Sequence, residues 1–228
     1  MTNMKAAPVV LQLPPIDEPI TDFEGYFAKS HKVGRELPFA AIERAAGMLY
    51  QAYEEGRSVF LFGNGGSAAL ASHFACDLAK GTVLPGRLSK RFRALSLTDN
   101  VALMTAWAND TAYDNLFAEQ LYNFIRAGDV AFGISGSGCS PNVLLGLRAA
   151  RESGALTIGL SGFKGGKLSG VCDLCIIIPS DNMQIIEDFQ LAVTHALFTV
   201  IRYRIQKTAE TVAEAKHPEI MASVMLAG

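Results

Sequence analysis

Four ionisable residues stand at spacings that can support proton transfer or metal binding. His73 precedes Asp77 by four residues, so both side chains share one face if the segment is helical. Glu187 precedes His195 by about two helical turns, with Asp188 adjacent. A carboxylate and a histidine on one helix face can act as an acid and a base, or as two ligands of a metal ion. Spacing alone leaves a plainer reading open, in which a histidine in an apolar helix is a hydrogen-bonded core residue. What favours chemistry is position, because His73 and Asp77 closely follow a glycine-rich turn.

That turn is one of two built alike. Phe60-Leu61-Phe62-Gly63-Asn64-Gly65-Gly66-Ser67 and Val130-Ala131-Phe132-Gly133-Ile134-Ser135-Gly136-Ser137-Gly138-Cys139-Ser140 each run from apolar residues into glycines and hydroxyls. Glycine lets backbone approach a ligand, hydroxyls donate hydrogen bonds, and the N-terminus of a following helix offers unpaired N–H groups to an anion. Neither turn contains a lysine, and the first lacks the G-x-G-x-x-G pattern, which disfavours a nucleotide and leaves a sugar phosphate as the better-sized ligand.

These turns need strands before them and helices after them. Candidate strands are Ser58–Phe62, Arg93–Ser96, Val130–Ile134, Thr157–Leu160 and Leu174–Ile178. Candidate helices between and after them are Ser67–Lys80, Asn100–Trp107, Ala112–Phe124, Pro141–Ser153 and Met183–Gln206. The alternation predicts a parallel sheet with helices on both faces, and ligands then bind beyond the carboxyl ends of the strands. Two further helices, Ile20–Arg35 and Pro38–Glu55, precede the first strand. Residues 1–17, with Pro8, Pro14 and Pro15, read as an irregular arm, residues 18–207 as one domain, and residues 208–228 as a tail with room for a short helix.

Composition narrows the partners. With 228 residues, 18% charged, and a net charge of −2, the chain carries no basic surface that argues for nucleic acid. It has neither a long uninterrupted apolar run nor a secretory start, so no membrane span and a cytoplasmic location are expected. The basic group Arg87, Lys90, Arg91 and Arg93 reads as a solvated loop, with steering of an anion as the alternative. Trp107 has packing as its default role, and no chemistry is expected of His31 or His217. Four scattered cysteines do not make a disulfide framework. Cys172 and Cys175 form a C-x-x-C, but on a strand from Val171 to Pro179 they would point to opposite faces, so buried structural thiols are expected.

Taken in order, Gly63–Ser67, His73-Phe74-Ala75, Asn109-Asp110, Ile134–Ser140 and Ile186-Glu187-Asp188 with His195 resemble the sugar isomerase (SIS) domain family, and within it the phosphoheptose isomerases, over about residues 35–206. The resemblance implies a three-layer α/β fold, here with a five-stranded parallel sheet and extra N-terminal helices, assembled as a homotetramer around the N- and C-terminal helices. It implies that Ser135, Gly136, Ser137 and Ser140 hold a substrate phosphate, that Asn64, Gly65 and Gly66 line the sugar, and that Asn109 and Asp110 touch it from another loop. Asp77 and His195 match the catalytic acid/base pair, with Asp77 and Glu187 also against substrate. His73, Asp77, Glu187 and His195 match positions for metal ligands, so one divalent cation per subunit, zinc in some relatives, is implied, and no nucleotide cofactor.

The implied reaction interconverts a ketose phosphate and an aldose phosphate through an enediol, sedoheptulose 7-phosphate to D-glycero-D-manno-heptose 7-phosphate. Two positions depart from the pattern: Asp77 stands where the family has glutamate, and Glu187 where it has glutamine. The shorter acid withdraws its oxygen by about an ångström, a misplacement that can cost on the order of 100-fold in rate unless the backbone adjusts. Two other readings stay open, a non-catalytic phosphosugar-binding or scaffold protein of the replication-initiator-associating kind, and an isomerase of another sugar phosphate.

Overall fold

Side-chain alternation along five apolar runs sorts their residues onto the two faces of one sheet. The computed structural model describes residues 19–84 and 90–216. Its strands are β1 (Ser58–Gly63), β2 (Arg93–Ser96), β3 (Val130–Ser135), β4 (Leu156–Ser161) and β5 (Leu174–Ile177). All neighbours pair in parallel, in the spatial order β2-β1-β3-β4-β5. Val59, Leu61, Phe132 and Ile134 enter one core layer, and Phe60, Phe62 and Ala131 enter the other.

The first layer is covered by α1 (Phe23–Arg35), α2 (Phe39–Glu55), α3 (Gly66–Cys76) and, after β5, a long final helix (Met183–Lys216); the second is covered by a helix at Leu116–Phe124 and another at Pro141–Glu152. Between β2 and these lies α4 (Val101–Asp110), which makes Leu116–Phe124 α5, Pro141–Glu152 α6 and Met183–Lys216 α7. The expected three-layer fold with extra N-terminal helices is therefore present. Local signals set the ends of the extra helices: the Asp22 carboxylate accepts from the Gly25 N–H at 2.7 Å to cap α1, and Gly56, at φ 68°, ends α2 in the left-handed conformation.

Several boundaries differ from the sequence reading, each for a local reason. The helix expected over Ser67–Lys80 is α only to Cys76 and continues as a π-helical turn, Asp77–Gly81. Gly81 lies so close to α7 that a Cβ there would stand 2.7 Å from the Phe198 ring. The helix expected over Ala112–Phe124 opens as a 3-10 turn, Tyr113–Asn115. The α7 helix runs unbroken past residue 207 to Lys216, and the Tyr50 hydroxyl meets Thr208 Oγ1 at 2.6 Å from α2. The N-terminal arm, Arg87, His217 and the end of the tail lie outside the described residues.

The reading of Cys172 and Cys175 as thiols pointing apart needs correction. Pairing of β5 begins only at Leu174, opposite Ile158, so Cys172 sits in the turn before the strand. Asp173 fixes that turn, its carboxylate accepting from the Thr157 N–H at 2.9 Å and the Thr157 hydroxyl at 2.7 Å. The bend lays the Cys172 sulfur over Gly159, 2.9 Å from where a Cβ would stand, and Gly159 is the register partner of Cys175, so the two cysteines meet at one position of the sheet.

Candidate active site

The strand order creates a crevice at the carboxyl edge of the sheet, between the two glycine- and hydroxyl-rich turns. Neighbouring strands β1 and β3 send their following helices to opposite faces, α3 to the first layer and α6 to the second. The turns after them therefore diverge at the carboxyl edge of the sheet, which is the usual binding place in an open α/β fold.

On the α3 side, three of the four candidate ligands converge. His73 Nε2 and His195 Nε2 are 2.8 Å apart, and Asp77 Oδ2 lies 3.6 Å from the first and 3.9 Å from the second. A direct hydrogen bond between the imidazoles needs one ring nitrogen to donate and the other to accept. The carboxylate is the most enclosed of the three, with 20% side-chain exposure against 49% for each histidine. Asp77 opens the π-helical turn, and π-turns inside helices recur at functional sites because the widened backbone re-aims a side chain.

The three donor atoms suit a divalent cation. Neighbouring ligands of a tetrahedral zinc ion are about 3.3 Å apart, given metal–ligand bonds of about 2.0–2.2 Å. The three separations here bracket that value, and all three atoms lie within 4.8 Å of one another. Glu187 is not in this group. Its carboxylate lies against Gly66, where a Cβ would come 2.8 Å from Oε1, over the first turn of α3. A negative charge is favourable at a helix N-terminus, so the chain's own carboxylate sits at the first anion-like turn.

The two turns consequently differ. In the first, Gly65 adopts φ 56° with no atom of the described residues within 4 Å of its Cβ direction, leaving a face open to a ligand. Asn64 is held rigidly: its amide exchanges two hydrogen bonds of 2.8 Å with the buried amide of Asn142, and its Oδ1 also accepts from the Tyr113 hydroxyl at 3.0 Å. In the second turn the Ser135 and Ser140 hydroxyls are 3.0 Å apart, Ser137 Oγ accepts from the Cys139 N–H at 3.2 Å, and Ser140 precedes the first residue of α6, Pro141. The turn folds around Gly138 at φ 65°, whose N–H bonds to the Ser135 carbonyl and whose carbonyl accepts from the Leu168 N–H, both at 2.9 Å. It presents hydroxyls and the N-terminus of α6 together, an arrangement suited to phosphate.

Asn109 and Asp110 lie at the end of α4 rather than on a loop, bonded to each other at 2.8 Å. Sequence reasoning missed three contributors. Tyr113 and Asn142 carried no motif signal, although Asn142 immediately follows the turn it helps to hold. Ser72, beside His73, bonds Asp99 and lies 3.1 Å from Thr98 Oγ1, tying α3 to the loop after β2.

The order of these parts along the chain is that of a known family, and the model of the SIS domain matches residues 23–162. The chain belongs to the SIS domain family. Among similar SIS proteins, the phosphoheptose isomerase of Rhodospirillum rubrum is 43% identical over 157 residues, covering 69% of this chain and 82% of the relative. That of Helicobacter hepaticus is 35% identical over 191 residues, covering 84% and 95%. The solved phosphoheptose isomerase of Neisseria gonorrhoeae superposes with a TM-score of 0.72 at 30% identity, covering 78% of this chain and 95% of that one. Both departures from the SIS pattern now have a setting: Asp77 begins a π-turn, and Glu187 faces a helix N-terminus.

Proposed function

We infer that the chain is an aldose–ketose isomerase that converts sedoheptulose 7-phosphate into D-glycero-D-manno-heptose 7-phosphate. The observation that carries this reading is the convergence of His73, Asp77 and His195 at the end of α3, the helix that leaves the glycine turn. Substrate choice rests on the phosphoheptose isomerases that the chain resembles along most of its length. A scaffold would have no use for a carboxylate held against two histidines, so the site favours an enzyme.

In this mechanism Ser135, Ser137 and Ser140 bind the phosphate with the backbone of the turn, while Asn64 and Gly65 contact the open-chain sugar. Remote phosphate binding fixes C1 and C2 at the acid/base cluster, which turns binding energy into orientation. The Asp77 carboxylate or the His195 imidazole removes the proton between C1 and C2, and the other carries the oxygen protons. In the metal-free cluster His73, through its contact with His195, fixes which ring nitrogen holds a proton. Glu187 and the Asn109–Asp110 pair complete the substrate contacts. His73, Asp77 and His195 would hold one zinc ion, with Glu187 as a further ligand only if its side chain swings away from Gly66; bound there, zinc would polarise the sugar carbonyl.

A homotetramer joined through α1, α2 and α7 is part of the proposal. It is supported by the exposed Phe23, Phe27, Phe39 and Tyr203 on those helices. Cytoplasmic placement is supported by the charged substrate, which a bilayer excludes, and no helix among the described residues is long and apolar enough to cross a membrane.

The test is incubation of metal-analysed protein with sedoheptulose 7-phosphate in heavy water, followed by NMR. Heptose 7-phosphate with deuterium at C2 is the expected product, its formation lost on exhaustive chelation and restored by zinc. Inertness with and without zinc would overturn the enzyme reading; turnover only of pentose or hexose phosphates would overturn the substrate.

A further inference from the structure

Outside the site, Cys172 and Cys175 meet at Gly159 on the segment that supports the serine turn, and the residue before Cys172 lines a basic cavity. The Cys172 sulfur donates to the Leu168 carbonyl at 3.2 Å and lies where a Cβ on Gly159 would come within 2.9 Å of it. Leu168 in turn gives its N–H to the Gly138 carbonyl. A single peptide unit pair thus separates the thiol from the hydroxyl-rich turn. Val171, next to Cys172 in the chain, lines a cavity of about 460 Å³ together with Arg148, Arg151, Glu152 and Gly170. Arg151 is anchored there by the Val171 carbonyl at 3.4 Å and by Asp173 at 3.8 Å, while Arg148 is exposed.

We propose that Cys172 and Cys175 form a redox-active dithiol that is oxidised by a small carboxylate-bearing disulfide docking on Arg148 and Arg151, and that its oxidation weakens the phosphate-holding turn. The second half rests on the function proposed above; the first does not.

The two thiols have distinct roles. The hydrogen bond from Cys175 lowers the pKa of Cys172 below the ordinary thiol value, whereas that same bond, burial and the neighbouring sulfur hold Cys175 far above it. Cys172 stands in the turn next to Val171 of the cavity wall and Cys175 lies on the strand behind it, an order that matches the lowered pKa of Cys172, so Cys172 is the attacking thiolate. Its sulfur bonds to one sulfur of the docked disulfide, whose S–S bond breaks and releases one small thiolate, protonated by water. Once Cys172 is in the mixed disulfide its negative charge is gone, which relieves the restraint on Cys175. Cys175 then gives its proton to water, attacks the Cys172 sulfur and expels the second small thiol. The protein loses two electrons and two protons, and the small disulfide becomes two thiols. The Leu168 carbonyl loses its thiol donor, and the sulfur moves toward Cys175, away from the segment that holds Gly138.

The test treats full-length reduced protein with glutathione disulfide and maps the products by mass spectrometry. The expected product is an internal Cys172–Cys175 bond. Cys175→Ser should trap one glutathione on Cys172, whereas Cys172→Ser should leave Cys175 unmodified. Arg148→Ala should slow the reaction with glutathione disulfide by about tenfold, yet leave that with uncharged hydroxyethyl disulfide unchanged. Persistent free thiols at both positions, or trapping at Cys175 in place of Cys172, overturn the dithiol. Equal slowing for both disulfides overturns the docking cavity. Calorimetry with sedoheptulose 7-phosphate should show binding about fivefold weaker after oxidation, as expected for loss of one supporting hydrogen bond, and recovery with a dithiol reductant. Unchanged affinity overturns the coupling to the turn. Because this reads binding, it separates from a failure of turnover in the reduced protein, which would count against the enzyme alone.

Discussion

Replacing Gly138 with alanine should loosen the serine turn and expose its role in phosphate binding. Gly138 stands at φ 65°, a region that disfavours a side chain by about 1–2 kcal/mol. The new Cβ would lie 2.2 Å from the Gly165 carbonyl oxygen and 2.6 Å from its carbon. Both are backbone atoms, so no side chain can rotate aside, and the forced shift adds about 1–3 kcal/mol. The sum, about 2–5 kcal/mol, corresponds to a melting temperature lower by about 4–20 °C for a chain of this size. The moved segment also carries the Leu168 N–H that holds the turn, so affinity for sedoheptulose 7-phosphate should fall by at least about tenfold. Thermal melts with and without the sugar phosphate, beside calorimetry, measure both effects. Gly47→Ala is the control: with no atom of the described residues within 4 Å of the new Cβ, inside α2, it should stabilise the protein by up to about 1 kcal/mol. A Gly138→Ala protein that melts within about 2 °C of its parent and binds equally well would refute the reasoning.

Asp77→Asn keeps shape and removes the charge, so kcat should fall by about 100-fold or more, with folding retained; activity above a tenth of the parent's would remove Asp77 from proton transfer. Asn142→Leu strands the Asn64 amide and should raise KM more than it lowers kcat, and steady-state kinetics with an unchanged KM would show that the amide pair does not position Asn64 for sugar. The Tyr26 hydroxyl, pushed up to about 12 by burial and by its 2.5 Å bond to Asp188, holds its proton more tightly in the folded than the unfolded chain. Its contribution is therefore complete below about pH 10 and lost as pH climbs to about 12; denaturant titrations across that range should show a steeper decline in the parent than in Tyr26→Phe.

Strand positions were legible because apolar runs such as Phe60–Phe62 and Val130–Ile134 have few alternatives to a buried strand between turn residues. The pairing of His73 with Asp77 was legible because helical spacing alone places them together. Their meeting with His195 depends on how α7 crosses α3, and that is set by packing such as Phe198 against Gly81, which no local pattern announces. The π-turn at Asp77 was hidden for the same reason: it forms where the helix must approach α7, not where a residue type demands it. Glu187 came in as a fourth ligand through the family resemblance, and the present position of its carboxylate depends on a glycine more than a hundred residues away, Gly66, which no local pattern reveals. The meeting of Cys172 with Cys175 turned on where strand pairing begins, which the partner strand β4 decides through Thr157 and Asp173.

The helix α4, which carries Asn109 and Asp110, gives the second core layer only the half-buried Met104 and Ala108, and among the described residues its enclosed Trp107 Nε1 has no hydrogen-bond partner. Its opening free energy is consequently small beside that of β3, where every residue is buried. Backbone amides of α4 should exchange with solvent deuterium orders of magnitude faster than those of β3, through local opening rather than global unfolding. A sugar held by Asn109 and Asp110 would have to quench that opening. Part of its affinity would then be spent as lost chain entropy, and protection of the α4 amides would report occupancy of the crevice without any chemical step.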